Sequence, residues 1–202
     1  TRRLIPNHAD LSSGTWTRTV GNDFFGRTIG IAGLGRIGRA VAVRARGFGM
    51  PVIAHELYPD DKFVAENDIR LVDLDTLCRE ADFISLHMPG TPETRHCINA
   101  ERLALMKPTA YIINTARGPI IDTLALAEAL RDGQLAGAAL DTVEEEPIPA
   151  VHPLLELDNV ILTPHIAWYS ERSRQEIRRR VAEEAIRMAK GEPPECPVNK
   201  IG

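Results

Sequence analysis

The chain has 202 residues, 44% of them hydrophobic, and its 24 basic and 28 acidic side chains give a formal net charge of -4. This length fits one large α/β domain with a substantial core, and the acidic balance leaves no broad basic field to hold nucleic acid or an anionic membrane. Three cysteines at positions 78, 97 and 196 are odd in number and far apart. That spacing argues against a disulfide framework or a zinc site and favours a cytoplasmic protein with no metal.

Residues 1–25 read as a mixed lead-in, with breakers at Pro6 and Gly14 and a short helical stretch around residues 9–13. We find neither a signal peptide nor a long uninterrupted apolar run in this sequence. The chain also starts without methionine, so we expect it to be a piece of a longer protein.

The organising feature of the chain follows this lead-in. Residues 28–32 are an apolar run, and Gly33, Gly35 and Gly38 come next at G-x-G-x-x-G spacing. Gly33 allows a tight turn, Gly35 lets a pyrophosphate approach the backbone, and Gly38 lets a helix pack closely on the strand. The spacing therefore predicts a strand, a phosphate loop and a helix whose first turn binds an anion.

The helix after the loop has an apolar pattern, and we expect its buried face to carry Ile37, Ala40, Val41, Ala45 and Phe48. A second apolar run covers residues 51–55, and Glu56 stands at its end, close to the spacing at which an acidic side chain meets the adenosine ribose. Glu56 would accept hydrogen bonds from the ribose hydroxyls and repel a 2′-phosphate. The sequence thus favours NAD over NADP, against the alternative of an exposed glutamate at a strand end.

Strands and helices alternate through the rest of the chain. We predict helices at 60–66, 73–80, 94–105 and 122–132, and strands at 70–72, 83–86, 110–114, 137–140 and 160–162. A capping box from Ser173 to Glu176 opens a last helix, which ends at Gly191 and has a buried stripe of Ile177, Val181, Ala185 and Met188. This alternation predicts a Rossmann-type, doubly wound, mostly parallel sheet with helices on both faces.

In such sheets ligands bind beyond the carboxyl ends of the strands, so the residues that follow each strand are the candidates for chemistry. They are Glu56, His87, Arg117, Asp141 with Glu146, and His165. A polar residue after a strand is common in any loop. An arginine, a carboxylate and a histidine on one rim could nevertheless serve as anion anchor, partner and general acid/base.

Five motifs resemble the NAD-dependent D-isomer-specific 2-hydroxyacid dehydrogenases in order and spacing. They are Gly33-Leu34-Gly35-Arg36-Ile37-Gly38, Pro92-Glu93-Thr94-Arg95-His96, Asn114-Thr115-Ala116-Arg117-Gly118, Ala139-Leu140-Asp141 with Glu144-Glu145-Glu146-Pro147, and Leu162-Thr163-Pro164-His165-Ile166. The resemblance runs from about Trp16 to Asn199.

The resemblance implies a role for each matched residue in hydride transfer between NAD(H) and a small D-2-hydroxy or 2-oxo acid. Arg117 would bind the substrate carboxylate and carbonyl, His165 would be the acid/base, and Glu146 would orient His165. Asp141 with the Thr115 and Ala116 backbone would hold the nicotinamide end, and Arg36 and Ile37 the pyrophosphate. His87 would line the cofactor cleft.

The resemblance also implies a homodimer, and it leaves a second function open. Residues 166–171, including Trp168, look like the C-terminal-binding corepressor branch of the same family, in which catalysis is secondary to an NAD-sensing scaffold. Trp168 would lie next to the substrate, against the alternative that it only packs beside the last helix.

Members of this family have a separate substrate domain whose segments we do not find in this sequence. We therefore expect a lead-in segment at 1–25, a dinucleotide-binding domain at 26–191, and a tail at 192–202 that leads towards the absent substrate domain. The chain would cross back to that substrate domain at residues 196–199. Substrate choice would depend mostly on that absent domain.

Overall fold

A computed structural model describes residues 3–195 and 197, and that part of the chain contains seven α-helices and seven strands, which alternate along most of its length. The helices are α1 Leu4–Ser12, α2 Arg36–Gly47, α3 Asp61–Glu66, α4 Leu74–Glu80, α5 Ala100–Leu105, α6 Thr123–Arg131 and α7 Glu171–Ala189. The strands are β1 Ile29–Ala32, β2 Val52–His55, β3 Ile69–Leu71, β4 Phe83–Leu86, β5 Tyr111–Asn114, β6 Gly137–Leu140 and β7 Val160–Leu162. Cys196 and most of the predicted crossing point lie outside the described residues.

All strand pairs in the sheet are parallel, and the strand order is β3-β2-β1-β4-β5-β6-β7. The order reverses between β1 and β4, and this is the switch point at which doubly wound sheets leave a crevice for ligands. The predicted fold class is confirmed. The described residues fall into two compact units that divide between Pro164 and His165, so the sheet belongs to the first unit.

Two apolar clusters show that helices cover both faces of the sheet. One cluster contains residues of α4, α5 and α6, including Leu77, Leu103 and Leu126, which are fully buried. The other contains Ala42 and Ala45 of α2, with Phe63 of α3 packed against it. All four residues of β1 and of β4 are buried, as expected for central strands of a parallel sheet.

The predicted buried face of α2 is only partly right, because Ala45 is buried and Val41 packs partly against the core, but Ala40 is exposed. The buried residues of this helix are Gly38, Ala42 and Ala45, whereas Ile37 and Phe48 are 65% and 62% exposed. The reason is the close approach of α2 to the phosphate loop, since a Cβ on Gly38 would lie 2.0 Å from the carbonyl oxygen of Gly33. Small residues therefore face the sheet, and Ile37 is left exposed beside the loop.

Two helix boundaries also differ from the prediction. Residues 95–99 are not helical, because α5 begins only after Asn99, whose side chain accepts a hydrogen bond from the Arg102 N–H at 3.1 Å. The last helix begins one turn before the predicted capping box, since the Ser170 hydroxyl accepts from the Ser173 N–H at 3.2 Å. In the lead-in, α1 is longer than the predicted stretch.

The predicted stripe on α7 is apolar but not buried. Ile177, Val181 and Met188 are 47%, 64% and 62% exposed, because no other described element of the second unit packs on this helix. Across residues 3–195 and 197, none of the helices combines the length and apolar character needed to cross a membrane.

Candidate active site

The N-terminus of α2 has no side-chain cap, unlike the N-termini of the later helices. Side chains of Asp60, Asp73, Asn99, Asp122 and Ser170 cap α3 to α7 by accepting backbone N–H bonds. The N-cap of α2 is Gly35, which has no such side chain, and a Cβ added there would meet no atom within 4 Å. The first N–H groups of α2 are therefore left to an anion, and the loop fits the pyrophosphate of a dinucleotide.

The phosphate loop packs directly on the chain that leaves β4. Gly33 has a φ of 99°, and a Cβ there would lie 2.8 Å from the carbonyl carbon of His87, so only glycine fits. His87 bonds the Ser85 hydroxyl through Nε2 at 2.9 Å, and burial lowers the pKa of its imidazole. The structure thus places His87 at the switch point beside the loop, as a largely neutral side chain at physiological pH.

Glu56 lies at the carboxyl end of β2 and is tied to the phosphate loop. Its Oε2 accepts a hydrogen bond from the Leu34 N–H at 2.6 Å, and its Oε1 accepts from the Tyr58 N–H at 3.0 Å. Each carboxylate oxygen can accept a second hydrogen bond. This position matches the one from which an acidic residue binds the ribose hydroxyls in dinucleotide-binding folds.

Arg117 stands on a tight loop that the preceding strand organises. Asn114 at the end of β5 is fully buried, its Oδ1 accepts from the Ala116 N–H at 3.0 Å, and its Nδ2 donates to the Arg117 carbonyl at 2.9 Å. Thr115 and the Arg117 side chain are exposed at this edge. The sequence motif includes Asn114 but gives it no role of its own, although a polar residue at the end of an apolar strand is a signal for one.

The loop after β6 carries Asp141 and Glu146. Asp141 is buried, its N–H donates to the Asn114 carbonyl at 2.9 Å, and its Oδ1 accepts from the Thr163 hydroxyl at 2.5 Å. The Glu146 carboxylate accepts from the Val143 N–H at 3.2 Å, which folds this side chain back over its own loop.

A second carboxylate anchors the same loop to the segment after β4. Glu144 Oε1 lies 2.5 Å from Arg95 Nη2 and 2.8 Å from His96 Nε2. The His96 N–H also donates to the Pro119 carbonyl at 2.8 Å, next to the Arg117 loop. This pairing leaves His96 half-buried.

The loops that carry Arg117 and Glu146 touch through their backbones at Gly118. A Cβ added to Gly118 would lie 1.8 Å from the Val143 carbonyl oxygen and 2.6 Å from the Glu144 nitrogen. Neither of these atoms belongs to a flexible side chain that could move aside. Gly118 therefore sets the separation of the two loops.

Replacing Gly118 with alanine should destabilise the chain by about 1 to 3 kcal/mol, the usual cost of overpacking, because two backbone segments must separate. The fall in melting temperature should be about 2 to 4 °C per kcal/mol for a chain of this size. Gly47→Ala is the matched control, since a Cβ at Gly47 meets nothing within 4 Å. Equal melting temperatures for the two variants would contradict the close approach.

His165 and Trp168 belong to the second unit and come shortly after β7. His165 has a φ of 53°, a left-handed conformation that non-glycine residues adopt rarely and that is found at many functional sites. Trp168 is 45% exposed and packs edge to face on Tyr169, with ring centroids 5.1 Å apart.

The predicted residues of the first unit all follow the carboxyl ends of parallel strands. Glu56 meets the phosphate loop through Leu34, and the loops of Arg117 and Glu146 meet at Gly118. The described residues contain no group of three histidine, cysteine or acidic side chains that could hold a metal ion. This edge of the sheet has the donor and acceptor groups for a dinucleotide and an exposed arginine for an anionic ligand.

Comparisons with known proteins agree on what the chain resembles. Residues 1–167 match the family model described as the D-isomer specific 2-hydroxyacid dehydrogenase, NAD binding domain. A glyoxylate reductase of Thermofilum pendens is 44% identical over 99% of the chain and 61% of the relative. A D-3-phosphoglycerate dehydrogenase of Methanocaldococcus jannaschii is 46% identical over 98% of the chain and 38% of the relative.

A solved structure supports the same likeness. The crystal structure of D-lactate dehydrogenase from Aquifex aeolicus complexed with NAD and lactic acid superposes with a TM-score of 0.88 at 35% identity. The alignment covers 95% of this chain and 62% of that one. The chain thus spans about three fifths of the length of this structure and of the glyoxylate reductase, and less than two fifths of the D-3-phosphoglycerate dehydrogenase.

Proposed function

The chain belongs to the D-isomer-specific 2-hydroxyacid dehydrogenase family, as its NAD-binding domain, and from this we propose that the full-length protein transfers a hydride between NAD(H) and a small D-2-hydroxy or 2-oxo acid. The observation that carries the proposal is the uncapped N-terminus of α2 beside Glu56. The relatives reported above are reductases and dehydrogenases, so they give no support to the corepressor alternative.

The cofactor would lie along the carboxyl edge of the sheet. The N–H groups at the start of α2, with Arg36 and Ile37, would hold the pyrophosphate, and Glu56 would accept the ribose hydroxyls. At the nicotinamide end the proposed contacts are the Thr115 and Ala116 backbone and Asp141. His87 would line the cleft between the two ends.

The bound nicotinamide would supply or accept the hydride at C2 of the substrate. Arg117 would bind the substrate carboxylate, because its planar guanidinium can hold both oxygens at once, which lysine cannot do. His165 would donate a proton to the substrate oxygen during reduction and remove it during oxidation. Glu146 would orient the His165 ring, and Trp168 would border the substrate.

NADH should stabilise the chain more than NADPH does. At a hundredfold excess over the dissociation constant, the bound cofactor adds about 2.7 kcal/mol, whereas NADPH at the same concentration should add less because its 2′-phosphate meets Glu56. Glu56→Ala should narrow the difference in a thermal-shift assay. Glu66→Ala, an exposed glutamate in α3, is the control. Equal stabilisation of the unmodified chain by both cofactors would remove the role of Glu56.

We also propose that the protein is a homodimer that uses the lead-in as part of its interface. Large apolar side chains there are exposed, namely Leu4 at 76%, Leu11 at 56%, Trp16 at 77%, Val20 at 93% and Phe25 at 81%. Burying such side chains is the usual reason for association. Light scattering should give twice the chain mass of 22.3 kDa, and a monomer at micromolar concentration would contradict the proposal.

A cytoplasmic location is proposed from the cysteines. Burial raises the pKa of the Cys78 thiol to about 12 and also raises the pKa of Cys97. Both side chains are free cysteines, and such protonated thiols are inert. This chemistry suits a reducing compartment.

A further inference from the structure

The side chains of Arg39 and Glu56 both form hydrogen bonds with the backbone of Leu34 in the phosphate loop. Arg39 Nε donates to the Leu34 carbonyl at 2.9 Å, and the Leu34 N–H donates to Glu56 Oε2 at 2.6 Å. The Arg39 cation thus binds the carbonyl group of Leu34, and the Glu56 anion binds its N–H group. In dinucleotide-binding folds an acidic side chain at this place accepts the 2′-hydroxyl of NAD, and a nearby arginine accommodates the 2′-phosphate of NADP.

Three contacts hold this guanidinium in place. Besides the bond to Leu34, its carbon lies 4.9 Å from the ring centroid of Phe63, and Nη1 donates to Asp60 Oδ2 at 2.8 Å. The contacts to Leu34 and Phe63 do not depend on Asp60. Removing the Asp60 charge would therefore leave the guanidinium beside the phosphate loop without its anionic partner.

Asp60 has a separate structural task that can be kept while its charge is removed. It is the N-cap of α3, and its Oδ1 accepts from the Phe63 N–H at 3.2 Å. This N–H bond and the Arg39 bond lower the pKa of the Asp60 carboxyl, so it is ionised at neutral pH. Asparagine caps helices as well as aspartate does, and it carries no charge.

We propose that Asp60 is a second determinant of the preference for NAD, because it occupies the arginine that would otherwise bind a 2′-phosphate. This inference rests on the proposed cofactor site at Glu56 and extends it. The carboxylates of Glu56 and Asp60 would then both weaken NADPH binding, each by a different mechanism. Glu56 repels the phosphate directly, and Asp60 withholds Arg39 from it.

The test is the dissociation constants of NADH and NADPH, measured by fluorescence titration on the full 202-residue chain. Asp60→Asn should tighten NADPH binding about tenfold, a size consistent with one exposed charge pair and one phosphate contact, and should change NADH binding less than about threefold. Asp73→Asn is the matched control, since Asp73 caps α4 in the same way by accepting from the Thr76 N–H at 2.7 Å.

Two further variants identify the arginine as the cause. Adding Arg39→Gln to Asp60→Asn should abolish the gain in NADPH affinity, and adding Glu56→Gln should enlarge it to about a hundredfold if the two effects are independent. The inference is wrong if Asp60→Asn and Asp73→Asn give the same ratio of dissociation constants, or if the gain survives without Arg39. If the unmodified chain binds neither cofactor, the proposed cofactor site fails instead.

Discussion

Replacing His165 with asparagine in the full-length protein should lower kcat for 2-oxo-acid reduction by about 10² to 10⁴-fold, the usual contribution of a positioned general acid. Asparagine has no group that titrates near neutral pH, so it can neither donate nor remove the substrate proton. NADH binding should change by less than about threefold, because the proposed cofactor contacts lie elsewhere.

The backbone conformation at position 165 determines which substitution removes the imidazole without straining the backbone. His165 has a φ of 53°, and asparagine tolerates this left-handed region better than alanine does. His152→Asn is the matched control, because His152 caps a short 3₁₀ turn by accepting from the Leu154 N–H at 3.2 Å, a bond that asparagine can keep. If His165→Asn turns over as fast as His152→Asn, His165 is not the acid/base.

Much of the fold follows from the sequence pattern because parallel strands are apolar runs with breakers at their ends. The glycines at 33, 35 and 38 locate the turn between β1 and α2, and the alternation of elements predicts the parallel sheet. The buried face of α2 could not be predicted from hydrophobicity. Close helix packing there requires small side chains, so Ala42 is buried while Ile37 is exposed.

The sequence predicts candidate site residues because polar side chains follow apolar strands, and the roles proposed for them come from the family resemblance. What the sequence does not reveal is how their loops are held. Asn114 organises the Arg117 loop, and Glu144 pairs with Arg95 and His96, which lie far away in the sequence. The Asn114 bonds are local to their own loop, whereas the Glu144 pairing depends on which strands are neighbours. The pairing of Arg39 with Asp60 has the same origin.

This chain on its own should bind NADH but reduce 2-oxo acids at least about 10³-fold more slowly than the full-length protein. Positioning of the reactants and exclusion of water can supply about 7 to 11 kcal/mol of a reaction barrier. We propose that the part of the full-length protein outside this chain provides the second wall of the cleft. Without it a small acid would be held mainly by the exposed Arg117, and exposed ion pairs contribute only about 0 to 1 kcal/mol.

The most direct test of the account is the rate of NADH oxidation with glyoxylate or pyruvate, measured side by side for the full-length protein, this chain and full-length His165→Asn. NADH titrations on the same samples separate binding from turnover. We expect all three to bind NADH and only the unmodified full-length protein to turn over rapidly. Rapid turnover by the chain alone would contradict the need for a second wall. Failure of the full-length protein to oxidise NADH with any 2-oxo acid would contradict the proposed activity itself.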